Sequence, residues 1–198
     1  MRKLIVCNIM SLDGRYEAPG GDVMALPFDV GFDDYNAERL RAASTLLLGR
    51  KTFELFRSYW PPVADNPDAP PVEREISRLN DAIDKVVVSN TLRLEQTAPW
   101  HNTTIVPGAE AMERVADLKS EPGGDILIFG SHTLWNDLLS AGLVDELHLM
   151  IGAGVLGDGT PIFDGKPASS LRLVGTRTWH GSSLLLAQYA ALPDPSPR

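Results

Sequence analysis

The chain has 198 residues, 43% of them hydrophobic, which is enough to bury the core of one ordinary domain. Its net charge of −8, without a cluster of lysines and arginines, argues against a nucleic-acid partner or an anionic membrane surface. The single cysteine, Cys7, excludes a disulfide framework, and no apolar stretch reaches the length of a membrane span. We therefore expect one cytoplasmic domain over residues 1–192 and a disordered tail at 193–198.

In the first half of the sequence, apolar runs alternate with helical patterns. Residues 15–31 interrupt this alternation, because they contain too many glycines and prolines for a regular element and suit a mobile loop over a site. The predicted elements are a strand from Leu4 to Met10, a helix that begins near Asp33 and ends before Thr45, a strand at 46–48, a helix after Gly49, a helix at 72–83 and a strand at 86–88.

The second half contains the clearest strand–helix–strand unit. Residues 126–129 are apolar without polar alternation, which is typical of a parallel strand covered on both faces, and a helical stripe follows until Gly142 ends it. Strands alternating with helices predict an α/β fold with a mostly parallel sheet. The other predicted elements are an edge strand at 103–106, a helix at 112–119, a strand at 147–151, a glycine-rich loop at 152–165 and a closing hairpin formed by 171–179 and 183–190.

The segment Gly152 to Gly157 matches the dinucleotide fingerprint G-x-G-x-x-G letter for letter. That fingerprint requires a helix that directs its amides at a pyrophosphate, and Asp158, Gly159 and Pro161 prevent a helix here. We therefore interpret the segment as a flexible loop. The four histidines show no ligand spacing, so the sequence predicts no metal site.

Polar and glycine residues follow three predicted strands at their carboxyl ends. Because parallel strands open these ends on one edge of the sheet, the three turns are expected to surround a single elongated, phosphate-bearing ligand. Taken singly, each turn has a simpler explanation as a tight turn, a helix N-cap or a solvated charge. The turns are Gly49 to Thr52, Ser89 and Asn90, and Gly130 to Thr133.

Nearly the whole chain, from Lys3 to about Ala190, resembles the dihydrofolate reductase-like superfamily. Within it, the sequence is similar to the C-terminal reductase domain of the bifunctional riboflavin-biosynthesis deaminase-reductase, although the deaminase motifs are missing. The resemblance implies a three-layer α/β/α fold with a C-terminal antiparallel hairpin, and NADPH as cofactor. Six motifs occur in the family's order, at residues 11–14, 48–54, 87–90, 128–131, 142–147 and 157–163.

The resemblance also implies which residues bind the cofactor. Arg50 is the candidate for the adenosine phosphate, and the nicotinamide is expected against the first strand near Ile9. The family usually has two glycines where this chain has Gly130 and Ser131, and whether their peptide bond is cis is left open. The implied cofactor-binding residues are Ile9, Gly49, Arg50, Lys51, Thr52, Ser89, Asn90, Gly130, Ser131, His132, Thr133 and Leu134.

Candidates for catalysis and substrate binding are fewer. Asp13 is either a loop acid that orients substrate or supplies a proton, or the cap of an Asx-turn. Folate-reducing relatives place an acid on the first helix, which makes Asp33 and Asp34 candidates, although an Asp pair also suits a helix start. Trp60 and Trp135 are aromatic candidates for a pocket wall or for the core.

The function implied by this resemblance is an NADPH-dependent reductase of a small heterocycle. The leading substrate class is a riboflavin precursor of the 5-amino-6-(5-phosphoribosylamino)uracil type, although no second basic cluster for a substrate phosphate is evident. A dihydrofolate reductase and a non-catalytic NADP-binding or scaffolding protein are the alternatives. A homodimer is expected because the closing hairpin and the apolar strand at 147–151 could form a shared face, and because the resembled family commonly dimerises.

Overall fold

The computed structural model describes residues 1–165 and 170–192. The tail predicted to be disordered, 193–198, lies outside the described residues. The strands are β1 Leu4–Met10, β2 Arg15–Glu17, β3 Ala43–Gly49, β4 Asp84–Val88, β5 Thr103–Val106, β6 Asp125–Phe129, β7 Glu146–Ile151, β8 Thr160–Pro161, β9 Ser170–Thr178 and β10 Leu185–Leu192. The α-helices are α1 Val30–Ala42, α2 Arg50–Tyr59, α3 Pro71–Ala82, α4 Ala111–Ser120 and α5 His132–Ser140.

Eight strands form one sheet in the order β5-β4-β3-β6-β1-β7-β10-β9. The strands from β5 to β7 pair in parallel, whereas β10 pairs antiparallel with both β7 and β9. This confirms the mostly parallel sheet with a closing antiparallel pair. Four adjacent strands of the sheet, β4, β3, β6 and β1, run parallel to one another. Their carboxyl ends therefore form a continuous edge, which we call the rim.

Helices cover both faces of the sheet, and each face has its own core. Because side chains alternate along a strand, Ile5, Cys7 and Ile9 of β1 face one side, while Leu4 and Val6 face the other. The first side packs against α1, α2 and α3, and the second against α4 and α5. These layers confirm the three-layer α/β/α architecture.

The first helix starts earlier than predicted because its cap is held by a distant part of the chain. Asp29, not Asp33, is the N-cap, and its carboxylate accepts hydrogen bonds from the amide of Gly31 at 2.9 Å and from Ser182 Oγ at 2.8 Å. The sequence placed Asp33 at the helix start, whereas the structure places it within the first turn. Its side chain is therefore not used as a cap.

The loop at 15–31 contains more structure than predicted. Strand β2 pairs antiparallel with β8, from the glycine-rich loop that follows β7. The prediction that this segment contains no regular element is therefore wrong for residues 15–17. Strand β2 forms because it pairs with a segment far along the chain, and no local sequence pattern predicts that pairing. No helix in the described ranges is both long enough and apolar enough to cross a membrane.

Candidate active site

Two turns of the rim are joined by the side chain of Ser131. The amide of Gly49 donates to Ser131 Oγ at 3.0 Å, and the amide of Ser131 donates to Thr52 Oγ1 at 2.9 Å. Gly130 and Ser131 both have left-handed backbone, with φ of 54° and 50°, and the peptide bond between them is trans. The serine that departs from the family's glycine pair thus connects the start of α2 to the start of α5.

The helices α2 and α5 begin at the rim without side-chain caps. Gly49 before α2 has no side chain, and Ser131 before α5 makes no side-chain hydrogen bond to its helix. Asp29, in contrast, caps α1. Uncapped first-turn amides and the positive ends of two helix dipoles suit an anionic ligand. Arg50 and Lys51 add exposed positive charge beside them, and within the described residues the ion-pair partner of Arg50 is the partly exposed Glu54 at 3.6 Å.

The third turn, at the end of β4, lies next to Gly49 because Val88 pairs with that residue. Ser89 Oγ accepts hydrogen bonds from the amides of Thr91 at 3.2 Å and Leu92 at 2.9 Å, and Asn90 Oδ1 accepts one from the amide of Gly108 at 2.8 Å. These bonds shape the turn and leave the Asn90 Nδ2 group as a donor at the rim. The structure therefore brings all three predicted turns to one edge.

Tyr16 is a residue of this region that sequence reasoning missed. It lies on β2, its ring centroid is 4.9 Å from that of His132, and its hydroxyl is 3.3 Å from the position of a Cβ on Gly130. Burial raises the pKa of Tyr16 to about 12, and the Thr52 hydroxyl and the His132 amide oppose that shift. Its three-residue strand carries no periodic pattern by which sequence alone could find it.

The carboxylate of Asp13 holds a loop. Its oxygens accept hydrogen bonds from Ser11 Oγ at 2.6 Å, from the amide of Leu156 at 3.0 Å and from the amide of Gly157 at 2.8 Å. These bonds, led by that from Ser11, hold the pKa of Asp13 at about 2, so it carries no proton at neutral pH. Asp13 therefore has a structural role, but it holds the loop at Leu156 and Gly157 instead of capping an Asx-turn.

A cavity of about 360 Å³ opens beside the rim on the face covered by α1, α2 and α3. Ile9 and Asn8 of β1 and Gly130 line its floor, and Asn8 Nδ2 donates to the carbonyl of Gly130 at 3.3 Å. Its walls include several aromatic side chains, among them Trp60, which was a candidate for a pocket wall, whereas Trp135 is fully buried in the opposite core. The aromatic lining residues are Tyr16, Phe28, Phe32, Phe56, Tyr59, Trp60 and Phe129.

The two candidate acids of α1 have different positions. Asp33 lines the cavity, whereas Asp34 is exposed and is not among the lining residues. Burial, followed by the charge of Glu73 on α3, raises the pKa of Asp33 to about 6. Glu73 lines the same cavity, and its Oε2 accepts a hydrogen bond from the Tyr59 hydroxyl at 3.1 Å.

The raised pKa of Asp33 predicts a pH-dependent stability. Between about pH 4 and pH 6 the folded protein keeps a proton that the unfolded chain has released, so stability falls as pH rises through this window. We expect Asp33→Asn to remove this fall. The melting temperature of the variant minus that of the original chain should therefore be larger at pH 7.5 than at pH 4.5. Thermal denaturation at both pH values measures the difference, and an equal difference at both would contradict the assignment.

Three other cavity residues, Asn36, Glu73 and Asn80, were also missed. The available signal was a polar residue within an apolar helical stripe, since Glu73, Ile76 and Asn80 share one face of α3 by their spacing. The same holds for Asn36, which lies between Asp33 and Leu40 on the cavity face of α1. In the described parts of the chain, no three His, Cys, Asp or Glu side chains are grouped to hold a metal ion.

Comparison with known proteins gives a consistent result. The family model described as the RibD C-terminal domain matches residues 2–185. The chain is 35% identical over 182 residues to a Bacillus subtilis (strain 168) protein described as the uncharacterized protein YyaP, and the match covers 90% of this chain and 89% of that protein.

Solved structures agree with the fold. A putative riboflavin biosynthesis protein from Shewanella sp. PV-4 has a TM-score of 0.67 at 22% identity, covering 96% of this chain and 99% of that one. Dihydrofolate reductase from Enterococcus faecalis, in complex with NADP(H) and RAB-propyl, has a TM-score of 0.59 at 14% identity, covering 96% of each chain. At these identities the structural similarity establishes the shared fold.

Proposed function

This chain belongs to the RibD C-terminal domain family, and from that membership and the geometry of the rim we propose that it is an NADPH-dependent reductase of a small heterocycle. The observation that carries the proposal is the pair of uncapped helix starts, joined through Ser131 and opening beside an aromatic cavity. Family and fold support a reductase of the RibD type.

In this proposal, the rim holds the phosphates of NADPH. The first-turn amides of α2 and of α5 donate to the phosphate oxygens, and Arg50 pairs with the phosphate on the adenosine ribose. Ser89 and Asn90 lie beside that position, at the end of β4. The remaining first-turn residues, Lys51, Thr52, His132, Thr133 and Leu134, contribute amides or charge.

The nicotinamide end reaches the cavity floor, where Ile9, Asn8 and the carbonyl of Gly130 lie together. When bound, NADPH supplies a hydride to the substrate. The residues of the chain orient the substrate and exclude water: the aromatic walls hold a flat ring, and Asp33 faces that ring from α1. The riboflavin precursor and the cytoplasmic location expected from sequence stay predictions.

Titration of the purified protein with NADPH, NADH, FMN and FAD tests the proposal. We expect saturable binding of NADPH with one site per chain, tighter than that of NADH, and no competition by the flavins. Failure to bind NADPH at millimolar concentration would contradict the proposal and favour the scaffolding alternative. Turnover of dihydrofolate by the NADPH complex would instead favour the folate reductase.

We also propose that the protein is a homodimer, through the outer face of β9 and β10. In the described structure β9 pairs only with β10, and the pair exposes Leu173 at 53% and Leu185 at 41% of their surface. Exposed apolar side chains near the edge of a sheet suit association with a second copy.

Replacement of Leu173 with glutamate is expected to convert the dimer to monomer, because a charge would be buried at the centre of the contact. Light scattering after gel filtration measures the mass. The matched control is Leu94→Glu, which replaces a leucine that is 65% exposed between β4 and β5, near the opposite end of the sheet. A Leu173→Glu protein that stays dimeric would place the interface elsewhere.

A further inference from the structure

Four polar side chains form a continuous hydrogen-bonded network between α1 and the sheet, which we call the buried network. His148 Nε2 lies 2.9 Å from Glu146 Oε2, and His148 Nδ1 lies 2.9 Å from the hydroxyl of Tyr35. Gln188 Nε2 donates to the same hydroxyl at 2.9 Å. Tyr35 belongs to α1 and the other three lie on β7 and β10, and both Tyr35 and His148 are 1% exposed. The network therefore connects α1 to two neighbouring strands, away from water.

The partners of His148 determine which of its ring nitrogens carries the proton. The Glu146 carboxylate also accepts from Lys3 Nζ at 2.7 Å, so it is ionised and can only accept, which places the proton of His148 on Nε2. Nδ1 is then an acceptor, and the Tyr35 hydroxyl donates to it. Burial raises the pKa of Tyr35 well above its ordinary value, so the hydroxyl keeps its proton. His148 is therefore neutral, and both of its ring nitrogens have a partner.

A second proton on His148 would remove one of these bonds. Both ring nitrogens would then be donors, and Nδ1 could no longer accept from Tyr35. Within the described residues the Tyr35 hydroxyl has no other acceptor, because its remaining partner, Gln188, is a donor. A buried donor that loses its acceptor is unfavourable, because its desolvation is no longer compensated. Burial, which outweighs the charge of Glu146, accordingly lowers the pKa of His148.

The charges around His148 come from β7, from α1 and from the residues before β1. Glu146 favours the charged imidazole, whereas Arg39 of α1 and Lys3 disfavour it. Cys7 of β1 pairs with His148, and burial raises the pKa of its thiol to about 12, so it carries no charge. The neighbouring position of β10 contributes only an uncharged amide. One carboxylate therefore faces two cations, and the buried imidazole gains little from ionising.

Helix α1 joins the buried network to the cavity beside the rim. Asn36, the residue after Tyr35, lines that cavity, and its Oδ1 accepts a hydrogen bond from Cys7 Sγ at 3.6 Å. Phe32, one turn earlier on α1, lines the same cavity. Movement of α1 away from the sheet would therefore expose His148 and Cys7 together and remove one wall of the cavity.

We propose that protonation of His148 releases α1 from the sheet, which makes the buried network a pH-sensitive contact that controls one wall of the cavity. The release of α1 does not depend on the reductase function. When α1 moves away, the imidazole meets water and takes up a proton with an ordinary pKa of about 6.5. The closed form is thus fully stabilised above about pH 6.5 and loses stability as pH falls, so opening is favoured about tenfold more at pH 5.5 than at pH 7.5.

Labelling of Cys7 by a neutral aromatic disulfide measures the opening. Cys7 is the single cysteine of the chain, is 1% exposed and contacts Asn36 of α1, so it reacts only when α1 has moved. The labelling rate of the urea-unfolded chain divided by that of the native protein at the same pH gives a protection factor, in which the intrinsic reactivity of the thiol cancels. From pH 7.5 to pH 5.5, we expect this factor to fall about tenfold more in the original chain than in His148→Gln. An equal change in both proteins would overturn the proposal.

The His148→Gln change preserves the bonds of the buried network without the charge, because an amide offers one donor and one acceptor and does not titrate. The matched control is His101→Gln, which removes an exposed histidine before β5 and should behave as the original chain does. Asp33 of α1 also titrates, around its pKa of about 6, but its effect has the opposite sign and is present in all three proteins. Comparison between the proteins therefore isolates His148.

The response of the labelling to urea separates movement of α1 from global unfolding. Opening of α1 alone exposes less surface than unfolding of the whole domain, so the labelling rate should rise much less steeply with urea than the unfolded fraction does. A labelling rate that follows global unfolding would overturn the proposal.

The Tyr35→Phe variant tests the contact from the side of α1. It removes only the hydroxyl that α1 contributes to the buried network, and we expect it to raise the labelling rate of Cys7 about fivefold at pH 7.5, because one buried hydrogen bond is lost. An unchanged labelling rate would show that this bond does not hold α1 and would overturn the proposal.

Discussion

Replacement of Gly130 with alanine is expected to lower the free energy of unfolding by about 2–4 kcal/mol and to weaken NADPH by about a hundredfold. Gly130 has φ of 54°, and an added Cβ would lie 3.0 Å from both Cγ2 and Oγ1 of Thr52. Thr52 cannot move away without loss of its bond from the Ser131 amide. The change therefore separates the two turns that are proposed to hold the phosphates.

The matched control is Gly142→Ala. Gly142 also has a left-handed backbone, with φ of 70°, but a Cβ there would meet nothing within 4 Å. It should show only the conformational penalty of about 1–2 kcal/mol and keep its affinity for NADPH. Urea unfolding and NADPH titration of both variants measure the difference. If the two alanines lower stability and affinity alike, the contact between Gly130 and Thr52 has no special role.

Replacement of Arg50 with glutamine is expected to weaken NADPH about tenfold to a hundredfold and to leave NADH nearly unchanged, because only NADPH carries the additional phosphate. Stability should hardly change, since the exposed pair with Glu54 contributes about 0.5 kcal/mol or less. Parallel titrations of the variant with both cofactors give the two affinities.

The control for this variant is Arg41→Gln, at the end of α1 and away from the rim, where the arginine is paired with Glu75 on the surface. It removes the same charge and should leave the affinities for both cofactors unchanged. A similar loss of NADPH and NADH affinity in Arg50→Gln would show that Arg50 does not recognise the additional phosphate.

Sequence patterns predicted the parts of the fold that are determined by local interactions or by a uniformly apolar run of residues. The runs at 126–129 and 147–151 have an apolar character that only a strand covered on both faces explains, and both are strands of the sheet. The three turns of the site were predictable for the same reason, since each follows a buried strand. Parallel topology then placed them on one edge.

The parts that sequence missed depend on contacts between distant residues. Asp29 caps α1 while it also binds Ser182, and β2 exists because it pairs with β8. Strand β10 is displaced by two residues from its prediction, Leu185–Leu192 instead of 183–190, because Ser182 and Ser183 are used by Asp29. No local sequence pattern predicts these partners.

Polar residues of the cavity were missed for a different reason. Asn80 and Asn36 are buried on faces that otherwise pack against the core, so their spacing looks like that of ordinary helix positions. Only the three-dimensional structure shows that Asn80 lines a cavity and that its buried Oδ1 atom has no donor within the described residues. Asp13 shows the converse, since a plausible catalytic acid proves to be occupied by three hydrogen bonds.

The most direct test of the rim as a nucleotide site is a titration of the isotope-labelled protein with NADPH, followed through its backbone amide resonances. We predict saturable shifts concentrated at residues 49–52 and 130–134, where α2 and α5 begin, with smaller shifts at Ser89 and Asn90. Shifts confined to the opposite edge of the sheet, around Thr45 and Lys85, would contradict the account.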